Sequence, residues 1–187
     1  MCGIAGIFDT RGHRPIDRGL LERMNQAQFH RGPDEGGTFV APGIGLAHRR
    51  LSIIDVSTGQ QPLFNQERSI CIVFNGEIYN FQQVRAELAG LGYAFQTHSD
   101  TEVIVQAWAA WGEDCVRRLR GMFAFAIWDM RQEKLFVARD RLGIKPLYFA
   151  TLDDGQFVFG SELKVLAQHP GLARRLDPLA VEDYFAL

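Results

Sequence analysis

The sequence predicts an α+β layered domain, not a doubly wound α/β one. Strand-like and helix-like stretches are grouped along the chain where βαβ units would alternate strictly. Several strand candidates are near-continuous apolar runs, the pattern of sheets covered on both faces. Neither a GxGxxG nor a Walker A glycine pattern interrupts them. The 187 residues, 47% of them hydrophobic, suffice for one domain with a full core.

Gly3 to Phe8 is an apolar run stopped by Asp9 and the Arg11-Gly12 turn, and reads as a buried strand. Leu20, Leu21, Met24 and Ala27 then recur at helical spacing behind Asp17, a good N-cap. His30 to Gly37 stacks Gly, Pro and Asp together and predicts a loop. Strands are expected at Thr38 to Ala41 and Ile44 to His48 across the Pro42-Gly43 turn. Ile70 to Phe74 reads as a strand and Phe81 to Leu91 as a helix capped by Asn80, with Asn75-Gly76-Glu77 separating the two. Ser99 or Asp100 opens a helix that buries Val103, Ile104, Ala107, Trp108 and Trp111 and closes at Gly112. Met122 to Trp128 and Leu135 to Ala138 form a hairpin about Asp129 to Glu133, and Leu147 to Ala150 with Phe157 to Gly160 is expected to extend the same sheet. Asp177-Pro178 begins a last helix whose Tyr184, Phe185 and Leu187 need something to pack on. Roughly eight strands and four or five helices result. The unfinished last helix makes the chain read as a piece of a longer protein.

Charge and composition exclude several function classes. A formal net charge of −2 gives no field for gathering nucleic acid or an anionic membrane. Arg117, Arg118 and Arg120 read as a solvated face. With no apolar run of the ~18–20 residues a bilayer needs, and no signal peptide, a cytoplasmic protein is expected. Cys2, Cys71 and Cys115 form no CxxC pair, and His13, His30, His48, His98 and His169 show no metal-ligand spacing. Cys71 and Cys115 sit in core-like patterns and the histidines read as loop or structural residues.

Cys2 differs from the other cysteines because it follows only Met1. Loss of Met1 would give it a free α-amine with a reference pKa of about 7.7–8.0, able to take the thiol proton. The alternative is an accidental cysteine. Asn75-Gly76 could offer a side-chain amide and a backbone N–H to a developing oxyanion, or could be a turn that ends a strand. Arg50 could fork onto a substrate carboxylate and Asp100 could accept a substrate ammonium; singly, each could equally be a surface charge or a cap. Together they form an amino-acid reader: a cation for the carboxylate, an anion for the amine and a nucleophile for the side chain.

Seven segments carry a resemblance. Met1 to Phe8 (MCGIAGIF), His30 to Asp34 (HRGPD) and Leu46 to Asp55 (LAHRRLSIID) come first. Phe74 to Asn80 (FNGEIYN), His98 to Glu102 (HSDTE), Gly121 to Ala126 (GMFAFA) and Arg139 to Tyr148 (RDRLGIKPLY) follow in order. The chain resembles the N-terminal glutaminase domain of glutamine-dependent asparagine synthetases, which are class II glutamine amidotransferases of the N-terminal-nucleophile hydrolase fold. That resemblance covers nearly the whole chain and implies a four-layer αββα sandwich.

It further implies that Cys2, freed of Met1, attacks the carboxamide of L-glutamine to form a glutamyl thioester. Asn75 and Gly76 would form the oxyanion hole, Arg50 would hold the α-carboxylate and Asp100 the α-amine. The backbone of Leu51, Ser52, Ile53 and Ile54, together with Glu77, would line the pocket. Residues 2–175 would be the glutaminase domain and 176–187 the start of a linker helix. An absent C-terminal synthetase domain would use ATP and Mg to amidate aspartate, with no cofactor or metal in the domain at hand. The Arg139 to Pro146 loop would lie near the junction of the two, and a homodimer is compatible with the family. A different ammonia acceptor, a non-catalytic glutamine-binding module, or an amidase acting on other amides remain the competing readings.

Overall fold

The computed structural model describes residues 1–51 and 59–186. From the N-terminus run β1 (Gly3–Asp9), α1 (Arg18–Ala27), β2 (Glu35–Ala41), β3 (Ile44–Arg50) and the short β4 (Leu63–Phe64). There follow β5 (Ile70–Ile78), α2 (Phe81–Gly90), α3 (Asp100–Trp111) and the single-turn α4 (Cys115–Arg118). Then come β6 (Gly121–Asp129), β7 (Lys134–Arg139), β8 (Tyr148–Thr151), β9 (Gln156–Gly160), α5 (Leu163–Leu166) and α6 (Pro178–Ala186). The strands form two antiparallel sheets, ordered β2-β3-β1-β9-β8 and β4-β5-β6-β7.

Three apolar clusters define the layers. Because side chains alternate across a strand, β5 sends Ile70, Ile72 and Phe74 to one face and Cys71 and Val73 to the other. The first set, with Phe123, Phe125 and Ile127 of β6, packs under Val84 and Leu88 of α2 and Val103, Ile104 and Trp108 of α3. The second set meets Ile4, Ile44, Leu46 and Phe159 of the opposite sheet, with Ala124, Ala126 and Trp128 between. On the far side of that sheet Ala5, Ile7, Ala47 and Val158 pack against Leu20, Leu21 and Met24 of α1 and Val165 and Leu166 of α5. The order is helices, sheet, sheet, helices: the αββα sandwich. Covering both sheets on both faces is why their strands read as unbroken apolar runs.

Local chemistry placed most element ends as expected. Asp17 accepts from the Leu20 amide at 3.1 Å and Ser99 from that of Thr101 at 3.0 Å, each capping its helix. Cys71 and Cys115 are fully buried, which pushes the Cys115 thiol up to about 12 and that of Cys71 further still.

Four expectations are corrected, and one strand was not foreseen. Strand β2 begins at Glu35, so Gly36 and Gly37 are strand residues paired with Arg49 and His48 instead of loop. A Cβ at Gly37 would overlap the Gln61 carbonyl, so glycine there serves close approach of another backbone. Strand β5 runs on through Asn75-Gly76-Glu77, paired with Ala124, Phe123 and Met122, so the dipeptide ends no strand. Asn80 makes no capping bond; its side chain donates to the Arg118 carbonyl and accepts from the Arg120 amide. Strands β8 and β9 extend the other sheet, where β9 pairs with β1 through Gly6 and Phe159. Two-residue β4, too short for any sequence pattern, was not expected.

Candidate active site

The inward-facing stripe of each central strand is apolar along most of its length and turns polar at one common end. On β3 it passes from Ile44 and Leu46 to His48 and Arg50, and on β5 from Cys71 and Val73 to Asn75 and Glu77. On β6 it ends at Met122, and on β1 the same alternation runs from Phe8 through Ile4 to Cys2. The two sheets therefore open into a cleft lined by Cys2, Arg50, Leu51, Asn75, Gly76, Glu77 and Asp100. Ser52, Ile53 and Ile54 lie outside the described residues. The cleft holds about 120 Å³. That is well under the roughly 300–1,000 Å³ typical of pockets for drug-sized ligands. It suits a ligand the size of one amino acid.

The Cys2 thiol points at the Leu51 carbonyl, 3.7 Å away, while the Cys2 carbonyl accepts from Arg31 Nε at 2.9 Å. Arg31 is anchored in turn by Glu162, 3.2 Å from its Nη1. Met1 precedes Cys2 along the cleft, and Lys145 Nζ donates to its thioether at 3.6 Å. Opposite Cys2, Asn75 is 1% exposed and its Nδ2 has no hydrogen-bond partner among the described residues. Such a group costs about 1–3 kcal/mol when buried, so it is a donor waiting for an acceptor.

Gly76 adds a second donor for a reason set by the ladder. In an antiparallel pair alternate residues turn both backbone groups away from the partner strand. Phe74 and Ile78 do so, since their amides reach the Gln61 side chain at 2.6 Å and the Asp100 carboxylate at 3.0 Å. Gly76, midway between them, turns its N–H to the same edge. Its partner Phe123 correspondingly bonds Asp140 on the β7 side, with an amide-to-carboxylate distance of 3.2 Å.

Charge is arranged around these donors. Arg50, buried, forms an ion pair with Glu35 at 3.0 Å, which its guanidinium fork can share with a second carboxylate. Burial raises the Asp100 carboxyl pKa above its ordinary value, with help from the Glu77 carboxylate and against the amides of Ile78 and Thr101. His48, 1% exposed, lies with Nε2 3.0 Å from the Phe74 carbonyl oxygen; as a carbonyl only accepts, the ring must present Nε2–H. Burial lowers its pKa to about 3, with the Arg50 charge adding to the effect, so the ring is neutral at physiological pH.

Sequence reasoning left Arg31, Glu35, Gln61 and Lys145 without individual roles. Arg31 and Lys145 fall inside quoted motifs, which was the available signal. Glu35 meets Arg50 only through the β2–β3 register, and Gln61 through a loop that no periodicity marks. Among the described residues no cluster of His, Cys, Asp or Glu is arranged to hold a metal, and no helix is long and apolar enough to cross a membrane.

A thiol sharing one cleft with two donors unpartnered among the described residues, with a guanidinium and two carboxylates around them, is equipped for acyl transfer from the side chain of an amino acid. Comparison with known proteins agrees. The chain is 38% identical, along its whole length, to asparagine synthetase [glutamine-hydrolyzing] 3 of Bacillus subtilis (strain 168), covering 31% of that protein. Over 89% of its length it is 43% identical to asparagine synthetase B [glutamine-hydrolyzing] of Escherichia coli (strain K12), covering 30% of it. The chain thus spans less than a third of these relatives and aligns with their glutaminase part. A glutamine phosphoribosylpyrophosphate amidotransferase from B. subtilis shares the fold with a TM-score of 0.70 at 23% identity, over 89% of this chain and 43% of that one. All of residues 1–187 match one family model, and with it the αββα sandwich and the cleft at its open end find their place: the chain belongs to the glutamine amidotransferase domain family.

Proposed function

We propose that this domain hydrolyses L-glutamine to L-glutamate and ammonia through a thioester on Cys2, once Met1 has been removed. With Met1 attached, Cys2 has no free α-amine. Without it, the amine takes the thiol proton and the thiolate attacks the glutamine carboxamide carbon. The carbonyl oxygen becomes an oxyanion between Asn75 Nδ2 and the Gly76 N–H. As the C–N bond breaks, the α-ammonium returns the proton to the departing ammonia. Water then adds to the thioester, the C–S bond breaks, and glutamate leaves with the thiol restored. Arg50 holds the substrate α-carboxylate. Asp100 receives the α-amine, and Glu77 and Leu51 line the pocket.

The observation that carries this reading is the buried Asn75 amide, unpartnered among the described residues, on a residue that lines the same cleft as Cys2. The ammonia is meant for ATP- and Mg-dependent amidation of aspartate in a synthetase domain joined through residues 176–187. The exposure of α6 and the relatives' greater length support that placement.

Intact mass and glutamate release, measured on the purified chain with glutamine and no ATP, test the proposal. Loss of Met1 with steady glutamate formation that Cys2→Ala abolishes is expected. Loss of Met1 with no turnover, while glutamine still binds, would favour a binding module.

A further inference from the structure

We propose that His48 and Gln61 are positioning residues for the oxyanion hole, clamping the carbonyl and the amide of Phe74 so that Asn75 and Gly76 meet the developing charge. This rests on the glutaminase reading above and extends it to two residues that line up behind the donors.

The inference starts from a missing neighbour. Strand β4 pairs with β5 at Ile72 and Cys71, and from Phe74 onward this edge of β5 has no strand beside it among the described residues. A third and fourth ladder residue would have consumed the outward amide of Gly76 along with those of Phe74 and Ile78. Side chains cover the edge selectively instead. Gln61 Oε1 accepts from the Phe74 amide at 2.6 Å, His48 Nε2 donates to the Phe74 carbonyl at 3.0 Å, and Asp100 accepts from the Ile78 amide at 3.0 Å. Among the described residues, the one skipped is Gly76.

The His48 bond also crosses between sheets. Cys2 and Arg50 belong to the sheet of β1 and β3, Asn75 and Gly76 to that of β5 and β6. The distance from nucleophile to oxyanion donors is therefore a distance between layers, and apolar contact alone is non-directional. His48, from the nucleophile's sheet, takes hold of the carbonyl that immediately precedes Asn75. Gln61 is steadied by its own amide, which reaches Thr101 Oγ1 at 3.4 Å. Preorganised donors stabilise charge only when they are held within a few tenths of an ångström, so both clamps act on the rate through the donors they fix.

The test uses the whole chain with Met1 loss verified by mass. His48→Ala is expected to lower kcat for glutamate release by roughly 10- to 100-fold, less than the roughly 10²- to 10³-fold expected for removing an oxyanion donor outright. The KM for glutamine should stay within about twofold, because Arg50 and Asp100 are untouched. His48→Gln, which restores an N–H donor, should recover most of the loss, and Gln61→Met should resemble His48→Ala. Should His48→Ala not fold, Gln61→Met carries the same readouts from outside the core. Folded variants with wild-type kcat would overturn the inference, as would KM rising in step with the loss of kcat, or Gln rescuing no better than Ala. Wild-type protein that has lost Met1 and releases no glutamate would instead overturn the glutaminase reading, and this inference with it.

Discussion

The neutral, buried His48 makes a quantitative demand on stability against pH. Its native pKa lies at about 3, against an unfolded value of about 6.5. As pH falls below 6.5 the unfolded chain takes up a proton that the native state refuses, so unfolding is favoured and stability drops. Between pH 7.5 and pH 5 one such group contributes a loss of about 2 kcal/mol, from RT ln(1 + 10^(6.5 − pH)) evaluated at the two ends. His169, also held below its ordinary value by burial, adds in the same direction, whereas the raised Asp100 opposes it. Asp129, Asp140 and Glu162, whose pKa values are lowered, act only below the unfolded carboxylate range of about 4 and leave this window alone. The clean quantity is therefore the difference between wild type and His48→Gln, in which those other groups cancel. Urea unfolding followed by the fluorescence of Trp108, Trp111 and Trp128 at pH 7.5, 6.5, 5.5 and 5.0 measures it. Wild type should lose about 2 kcal/mol more than the variant across the series. Parallel losses would mean that the ring accepts a proton in the native state, and its assignment as a neutral buried imidazole would fall.

Further perturbations separate activity from stability. Asn75→Ala should cut kcat by roughly 10²- to 10³-fold. Its urea midpoint should hold or rise, because the amide lost has no Nδ2 partner. Arg50→Lys keeps the charge but loses the fork, so the KM for glutamine should rise by about tenfold or more with kcat largely retained in steady-state assays. Trp108→Phe removes the bond from Nε1 to the fully buried Asp129, 2.9 Å long. That should cost about 1.5–3 kcal/mol in urea unfolding while glutamate release is kept, as Trp108 packs on the helix-covered face away from the cleft. Gly6→Ala would press its methyl into the Phe159 ring between the sheets. A loss of about 1–3 kcal/mol, read as a lower thermal midpoint, is expected.

What the sequence disclosed follows the range of the forces involved. Helices capped by Asp17 and Ser99, and strands such as Ile70 to Phe74, announce themselves through neighbours a few residues away. Sheet membership does not: β9 joins β1 because Phe159 fits over the side-chain gap at Gly6, a pairing across more than the length of the intervening hairpins. Asn75-Gly76 has strong turn propensity, yet nine residues of pairing with β6 hold it extended, so tertiary context overrides the local preference. Cys2, Arg50 and Asp100 stood out because charge and thiol chemistry are legible residue by residue. Glu35 and Gln61 did not, since their roles exist only once strand register and loop path have brought them beside Arg50 and Phe74.

The polar end of the inter-sheet stripe has a cost that the fold must carry elsewhere. Of the buried side-chain atoms left without partners among the described residues, Asn75 Nδ2 belongs to a residue that lines the cleft and Arg31 Nη2 to the residue that holds the Cys2 carbonyl. Asp100 is buried against its preference for water, and Lys145 is nearly as deeply enclosed. None of these groups helps the chain fold, because each is a polar or charged atom withdrawn from water without full recompense. Three apolar layers, tied by long ladders such as β5 with β6, supply the surplus that tolerates them. An amide kept dry and unbonded in the resting protein needs no solvent reorganisation when an oxyanion forms beside it. The same desolvation that makes Asn75 a poor contributor to stability is what would make it an effective donor in the transition state.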